Sequence, residues 1–327
     1  MQCVAINLNR AFTNFFQVRA KFPKFKSKHG KQSIQYPQNV VIKGNFLSVP
    51  KIGEIKAVFH RQLVGKIKTV TISKAPSGKY FASLLCETES SRQPGEGKIL
   101  GIDLGVKDFA IVHDGETMTK YANPKYLKRH EKNLGRKQQK LARKTKGSKG
   151  RAKFRRIVAK VYERVSNARQ DFLHKLSRKL VNESQVIVVE NLNVKGMVLN
   201  RKLSKAISDA GWGTFANFLA YKLERKAGKL IEIDRFFPSS KMCSCCGYVM
   251  DNLPLDIREW SCPSCGTHHD RDGNAALIIR NEGVRILTMG GGNPVPASGA
   301  CVRPDSREVK GLRAANLEAY TDPRLAV

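Results

Sequence analysis

The 327 residues of this chain hold 59 lysines and arginines against 27 aspartates and glutamates, a formal charge of +32, with an isoelectric point near 10.1. Hydrophobic residues still make up 41% of it, which excludes a disordered polycation: the chain can build a core, and its length allows two or three domains of about 100–200 residues each. A field of this sign selects polyanions, and nucleic acid ranks ahead of an anionic membrane surface because the basic residues are not gathered on one amphipathic helix.

No run reaches the ~20 apolar residues of a membrane span, and the opening MQCVAINLNRAF lacks a signal-peptide core. The expectation is a cytoplasmic protein with no membrane partner. In chain order, Cys3 to Ala20 predicts an amphipathic helix with Val4, Leu8, Ala11, Phe12, Phe15 and Phe16 on one side. Its apolar face needs a partner, so residues 1–33 read as the remnant of a larger helical region. KFPKFKSKHGKQS, Lys21 to Ser33, then sets Phe22 and Phe25 among Lys21, Lys24, Lys26, Lys28 and Lys31. Two readings stay open: the rings stack on bases while Lys24, Lys26 and Lys28 meet phosphates, or two phenylalanines anchor a solvated loop.

From Ile34 to Glu87, short strand-like segments alternate with Gly, Pro and Asn turn signals. Hairpin spacing of this kind predicts a small β-barrel over residues 34–92. Lys43, Lys51, Lys56, Lys66, Lys68, Lys74 and Lys79 alternate with its apolar residues and should face outward. Glu89 to Gly97 has linker composition.

In KILGIDLGVKDFAIVHDG, Lys98 to Gly115, an apolar run carries one carboxylate, Asp103, where a buried strand should end. An unpaired buried carboxylate is costly, so such a strand supplies it with a cation, a metal or a donor. A turn at Gly105 to Lys107, a strand through Phe109 to Val112 and an Asp114-Gly115 turn follow. Three antiparallel strands and then a crossover begin a ribonuclease-H-like sheet. Residues 120–180 predict a basic helical hairpin tracking a nucleic-acid backbone, with Arg136, Lys137, Lys140, Arg143, Lys144, Arg155 and Arg156 as phosphate-binding candidates. Ile157, Val161, Val165, Phe172, Leu176 and Leu180 keep helical spacing on its apolar side.

QVIVVEN, Gln185 to Asn191, repeats the strand-then-acid pattern with Glu190. Lys205 to Lys226 predicts one helix whose Trp212, Phe215, Phe218, Leu219 and Leu223 belong to the core, and KLIEIDRFF, Lys229 to Phe237, returns as a strand. DRDGNAA, Asp270 to Ala276, then places Asp270 and Asp272 ahead of an apolar helix, Ala275 to Leu287. Two strand-end acids and one helix-start acid on one side of a sheet would hold divalent cations. Two such ions about 3.5–4 Å apart clamp the attacking and leaving oxygens of a phosphodiester, so the residues alone point to a metal-dependent nuclease.

Five of the eight cysteines lie between Cys243 and Cys265, which in a reducing compartment means metal rather than disulfide. Cys243-x-x-Cys246 and Cys262-x-x-Cys265, fifteen residues apart, pair as knuckles of a closed tetrahedral zinc site, which a small loop-rich insert needs in order to fold. Cys245 is the spare thiol. His268 and His269 follow a site that is already full and read as its neighbours or as surface residues.

AKFPKFKSKHGKQS, GIDLGVKDFA, VVENLNVKGM, SDAGWGTFANFLAYK, DRFFPSSKMCSCCG and REWSCPSCGTHHDRDGNAA, in this order over about Arg10 to Arg285, together resemble the TnpB family, the transposon-encoded relatives of type V CRISPR effectors. The resemblance implies an α/β, ribonuclease-H-like RuvC nuclease domain over residues 93–241 and 269–287. A zinc-ribbon insert that binds target nucleic acid would occupy 242–268. Ahead of them would stand a guide-RNA-binding wedge barrel (34–92) and a truncated helical segment (1–33), with a disordered tail over 288–327. By the same resemblance Asp103, Glu190 and Asp272 are the magnesium-binding catalytic carboxylates, Asp272 rather than Asp270 because it stands two residues before Asn274. The implied activity is RNA-guided cleavage of DNA. Its implied partners are a guide RNA derived from the transposon end and a DNA target met both double- and single-stranded. Base pairing with the guide would read sequence while the protein reads shape and a short adjacent motif.

Two departures stand out. Family members carry several dozen residues ahead of the position of Met1, so this chain reads either as a shortened product or fragment or as a compact variant, in the region that recognises the adjacent motif. Ile278 stands where the family has Asn. Two rival readings remain: a guide-RNA or DNA binder without cleavage, which has no need of three acids, and an actin-like ATPase, in which GIDLG and Gly290 to Gly292 would be phosphate loops but the cysteines would have no role.

Overall fold

The computed structural model describes residues 2–25, 27, 30, 32–88, 97–254 and 256–289. They divide into two units, one built from the residues up to 88 together with 134–163, the other from 97–133 together with 164–289. Lys26, Lys28, most of the predicted linker, the glycines at 290–292 and nearly all of the predicted tail lie outside the described residues.

The first unit opens with α1 (Gln2–Phe16). The helix predicted to reach Ala20 stops earlier because Val18 adopts φ 57°, and the amides of Arg19 and Ala20 both fold back onto the Asn14 carbonyl. Phe22 meets Phe12 and Phe15 edge-on, with ring centroids 5.8 and 5.3 Å apart, so this ring anchors its loop, while Phe25 is fully exposed. Six strands follow: β1 (Gln32–Tyr36), β2 (Val41–Lys43), β3 (Phe46–Val49), β4 (Gly53–Lys56), β5 (Lys66–Lys74) and β6 (Tyr80–Glu87). Where one barrel was predicted, the described strands form two separate antiparallel sheets, β1-β5-β6 and β2-β3-β4. Leu47, Val49 and Val70 lie buried between them, with Ile42, Ile55, Ile67, Ile72 and Leu84 packed around. All seven alternating lysines are exposed.

The second unit is organised by β7 (Ile99–Asp103), β8 (Asp108–His113), β9 (Met118–Ala122), β10 (Val186–Glu190) and β11 (Lys229–Ile233), hydrogen-bonded in the order β11-β10-β7-β8-β9. The first three strands in sequence are antiparallel neighbours, and β10 and β11 then add in parallel on the other edge of β7. This is the predicted meander and crossover. The hairpin between β8 and β9 closes through Asp114, whose carboxylate accepts the amides of Glu116 and Thr117. Gly115 beside it sits at φ 110°.

The crossover from β9 to β10 is made by α2 (Tyr126–Ala142) and α3 (Lys149–Glu183). The hairpin predicted from residue 120 begins at 126, because 118–122 pair as β9. The Arg151 guanidinium closes its bend by donating to the carbonyls of Leu141 and Lys144. After β10 come α4 (Val194–Met197), α5 (Ser204–Ala210) and α6 (Trp212–Arg225). The single helix predicted over 205–226 is broken at Gly211, which adopts φ 73°, a left-handed conformation that glycine enters without the Cβ penalty. Last come β12 (Glu259–Ser261), β13 (His268–Asp270) and α7 (Arg271–Thr288).

Alternation along the strands sorts the core into two layers. Leu100, Ile102, Phe109, Ile187 and Val189 pack with Leu173, Leu176 and Leu180 of α3 and with Trp212, Phe215, Leu219 and Leu223 of α6. The predicted core aromatics are therefore where they were expected. Val188, Ile231 and Ile233 face the opposite way, onto Ile279 of α7. Helix α7 sits on that face at very short range. A Cβ on Gly101 of β7 would lie 2.2 Å from the Ala276 carbonyl oxygen, and one on Gly283 of α7 would lie 2.2 Å from the Val188 side chain.

Candidate functional site

The same alternation aims the acids. In β7, Leu100 and Ile102 enter the α3–α6 layer, so Ile99, Gly101 and Asp103 face α7. In β10, Ile187 and Val189 enter that layer, so Val188 and Glu190 also face α7. The parallel register pairs Val189 with Ile102, which leaves Glu190 and Asp103 side by side one step further on, about 4.8 Å apart across the sheet. Asp272 lies in the first turn of α7, the helix seated on this face by Gly101. A cavity of about 130 Å³ is lined by Asp103, Gly105, Val106, Asp108, Arg258 and Asp272 among others.

Electrostatics bind the three acids into one group. Burial, the largest cause, and then the negative charges of Glu190 and Asp272 push the Asp103 pKa up to about 7, against a single backbone amide at Leu104 and the positive charge of Arg271. Glu190 takes a short hydrogen bond from the hydroxyl of Ser239, a buried residue. Asp272 is paired with Arg258 at 3.3 Å. Asp270 is occupied otherwise. It caps α7 by accepting the Gly273 amide at 2.7 Å and meets Lys120 at 2.7 Å; although burial opposes it, these partners hold its carboxyl below the ordinary range. The three acids offer hard oxygen donors and share a charge that a cation would relieve, so they fit divalent magnesium. They are more open than a single-ion cage: among the described residues, the group of metal-ligand atoms all within 4.8 Å of one another is the set of four cysteines.

Cys243, Cys246, Cys262 and Cys265 form that set. Sulfur pairs Cys243–Cys265 and Cys246–Cys262 are 3.7 and 3.6 Å apart, close to the ~3.8 Å edge of a tetrahedron with Zn–S bonds near 2.3 Å. The donor set fits one zinc ion. Both knuckles repeat the same backbone turn: the Gly247 amide bonds the Cys243 carbonyl and Gly266 the Cys262 carbonyl, with both glycines at positive φ. Cys245 is exposed and outside the set. Of the two histidines, His268 is exposed. His269 is buried and places Nε2 3.0 Å from the Cys243 sulfur. Burial keeps its pKa low, and a neutral ring here would donate an N–H to the Cys243 sulfur once zinc makes that sulfur a thiolate.

Of the predicted phosphate-binding residues, Lys24, Arg136, Lys140, Arg143, Lys144, Arg155 and Arg156 are exposed and Lys137 is half-buried. Four residues at the site had no part in it assigned from sequence. Ser239, Arg258, Arg271 and Asn274 lie inside the motifs quoted above, Asn274 as the marker for Asp272, and no spacing rule separates them from ordinary loop polarity.

Two family profiles match the chain: the one described as "Probable transposase" (OrfB_IS605) over residues 83–201, and "Cas12f1-like, TNB domain" over residues 212–279. A protein of Streptomyces pristinaespiralis named "Putative RNA-guided DNA endonuclease" is 40% identical over 291 residues, covering 88% of this chain and 71% of that protein. InsQ of Escherichia coli K12, which bears the same description, is 29% identical over 302 residues, or 87% of this chain and 74% of its own. Among solved structures, Cas12f1 in its complex with sgRNA and target DNA superposes with a TM-score of 0.54 at 14% identity, covering 82% of this chain and 68% of that one. That likeness is one of fold.

Proposed function

This chain belongs to the TnpB family, and from that membership we propose that it is an RNA-guided DNA endonuclease whose Asp103, Glu190 and Asp272 hold magnesium in a RuvC-type site. The observation that carries the reading is placement: Asp103 and Glu190 end neighbouring strands on the one face that α7, with Asp272 in its first turn, covers, and the charges of the other two acids add to burial in raising the Asp103 pKa. A charge cluster of this kind is tolerated in a fold that gives it cations. Magnesium, when bound, supplies Lewis-acid stabilisation of the phosphoryl oxygens and a more acidic water.

The protein's own part is placement. Strands β7 and β10 fix Asp103 and Glu190 on one face, Ser239 holds one Glu190 oxygen so that the other is free to ligate, and the α7 cap at Asp270 sets the direction of Asp272. Arg258 gives Asp272 a positive partner that a divalent cation must outcompete. The cysteine ribbon holds zinc in a structural role. Guide RNA, derived from the transposon end, and the DNA target would lie along the exposed lysines and arginines, their backbone charge meeting the basic surface while base pairing selects the site.

The test uses the chain co-expressed with its flanking DNA so that a guide co-purifies. Asp103→Ala and Glu190→Ala should each take magnesium-dependent cutting of a matched plasmid below detection while leaving target binding nearly unchanged, because a lost metal ligand spares the basic surface. Equal loss of cutting and binding would overturn the assignment.

A further inference from the structure

We propose that Asn274 is a positioning residue through which the four-cysteine ribbon sets the divalent-cation affinity of the acid site. The inference rests on the reading of Asp272 as a ligand, and it adds a coupling between two metal centres. Asn274 is buried on the first turns of α7, two residues after Asp272. Its carboxamide Nδ2 donates to the Met242 carbonyl at 2.6 Å and its Oδ1 accepts the Ser244 amide at 3.0 Å. These two backbone groups flank Cys243, so one side chain of the acid-bearing helix grips both sides of a ribbon ligand.

The grip is repeated on the other side of Asp272. Arg271, also buried, donates its guanidinium to the carbonyls of Pro254 at 2.5 Å and Ile257 at 3.3 Å, and its amide bonds the Arg258 carbonyl at 2.7 Å. Three residues before Asp272, His269 contacts the Cys243 sulfur at 3.0 Å. Residues on both sides of Asp272 are therefore fastened to the ribbon. The insert also begins at the acids, since Ser239, which donates to Glu190, lies four residues before Cys243.

The ribbon cannot keep this shape by burial alone. Its apolar cluster consists of Cys243, Leu253, Trp260 and Cys262 with Met250 against them, and two of the four buried members are themselves metal ligands. In a module so small, metal binding supplies the folding free energy. Without it the Met242 carbonyl and Ser244 amide have nothing to hold them in register with Asn274. The rest of α7 has independent support, because Ala276, Ile279 and Gly283 pack on β7 and β10. Loss of the ribbon should loosen the first turn of the helix, and with it Asp272, while the sheet and the remainder of α7 stay folded.

The experiment measures manganese binding to the full chain as a probe of the acid site, by calorimetry and by the Mn²⁺ paramagnetic signal. It is run with the ribbon zinc-loaded and after zinc removal, in the wild type, Asn274→Ala, Asn274→Asp and Asp103→Ala. Stripping zinc from the wild type should weaken manganese binding about 10-fold or more, in line with the effect of losing the residues that orient metal ligands. Asn274→Ala should keep one zinc per chain and its bulk melting transition, yet bind manganese about 10-fold more weakly and respond to zinc removal clearly less than the wild type, the remainder passing through Arg271 and His269. Asn274→Asp, which retains the acceptor for Ser244 but not the donor to Met242, should fall between. Equal manganese affinity with and without zinc in the wild type overturns the coupling, as does a zinc response in Asn274→Ala as large as the wild type's. Manganese binding that survives Asp103→Ala would instead bring down the acid-site reading beneath it.

Discussion

At the scale of single residues, the charge state of Asp103 would decide how the proposed site meets a metal. Its pKa of about 7 lies above the ordinary aspartate value of 3.8, so in metal-free protein the folded state holds the proton more tightly than the unfolded chain does. The stability this contributes is fully present below about pH 4 and is lost as pH rises through about 7, a change of a few kcal/mol at most. Asp103→Asn should therefore melt higher than the wild type at pH 8 without metal, and the two melting curves should converge toward pH 4. Magnesium should stabilise only the wild type, and more at pH 8 than at pH 5, because below pH 7 the ion competes with a proton. A wild-type minus Asp103→Asn difference in melting temperature that does not vary with pH would refute this. The residue itself was legible in sequence, since a lone acid ending the apolar run Ile99 to Ile102 has few inexpensive explanations. The preference for Asp272 over Asp270 as the proposed ligand came in sequence from the family resemblance alone. Its physical reason, that Asp270 is spent on capping α7 and on Lys120, needs coordinates, as do Ser239 and Asn274, which touch partners 49 and about 30 residues away.

At the scale of elements, the seat of α7 on β7 explains a glycine in GIDLG that the sequence offered no reason for. The Cβ of an alanine at 101 would press to 2.2 Å from the Ala276 carbonyl oxygen and 2.6 Å from the Arg280 amide nitrogen, both backbone atoms that yield only if the helix moves. Gly101→Ala should thus destabilise the protein by about 1–3 kcal/mol and, by lifting the helix that carries Asp272, depress cutting well beyond what partial unfolding explains. Gly135, inside α2 with nothing within 4 Å of its would-be Cβ, is the control. There alanine should be neutral or stabilise by up to about 1 kcal/mol. Chemical denaturation of the two variants checks the contrast, and equal effects would remove the helix seat from the account. The strands were readable because short β-branched apolar runs that end in a single acid, such as VIVVE, fit a buried strand and are too short for a helix. The break at Gly211 was not, because the apolar spacing of Ile207, Phe215, Leu219 and Leu223 runs straight through it. The pair Arg169–Asp209, 2.7 Å apart, with the second Asp209 oxygen accepting the Leu127 amide, anchors α5 to α3 and to the start of α2 and left no local mark in sequence.

At the scale of the whole molecule, charge is the property read most directly, and it is also the one whose distribution the sequence leaves unresolved. A total of +32 does not say which cations are free to meet phosphate. In the first unit, Lys79 is held by Glu163 at 2.9 Å and Arg151 is consumed by the bend between α2 and α3, whereas Arg136, Lys140, Arg143, Lys144, Arg155 and Arg156 are exposed, Lys144 with its ammonium 5.5 Å from the centre of the Phe154 ring. The two sets should behave differently. Log affinity for duplex DNA falls with log salt at about 0.9 per phosphate neutralised, so six to ten contacts cost about 10³–10⁵ in affinity between 50 and 200 mM salt. Replacing the six outward residues with alanine should lower that slope by up to about 5 without moving the melting temperature. Arg151→Ala should change the slope by no more than about 1 and lower the melting temperature instead, since it takes the guanidinium away from two carbonyls of the bend and leaves that of Leu141 only the Lys144 amide. Filter binding across a salt series, read beside thermal melts of the same two proteins, separates these outcomes. An unchanged slope in the six-fold variant would mean that nucleic acid is held elsewhere on the chain.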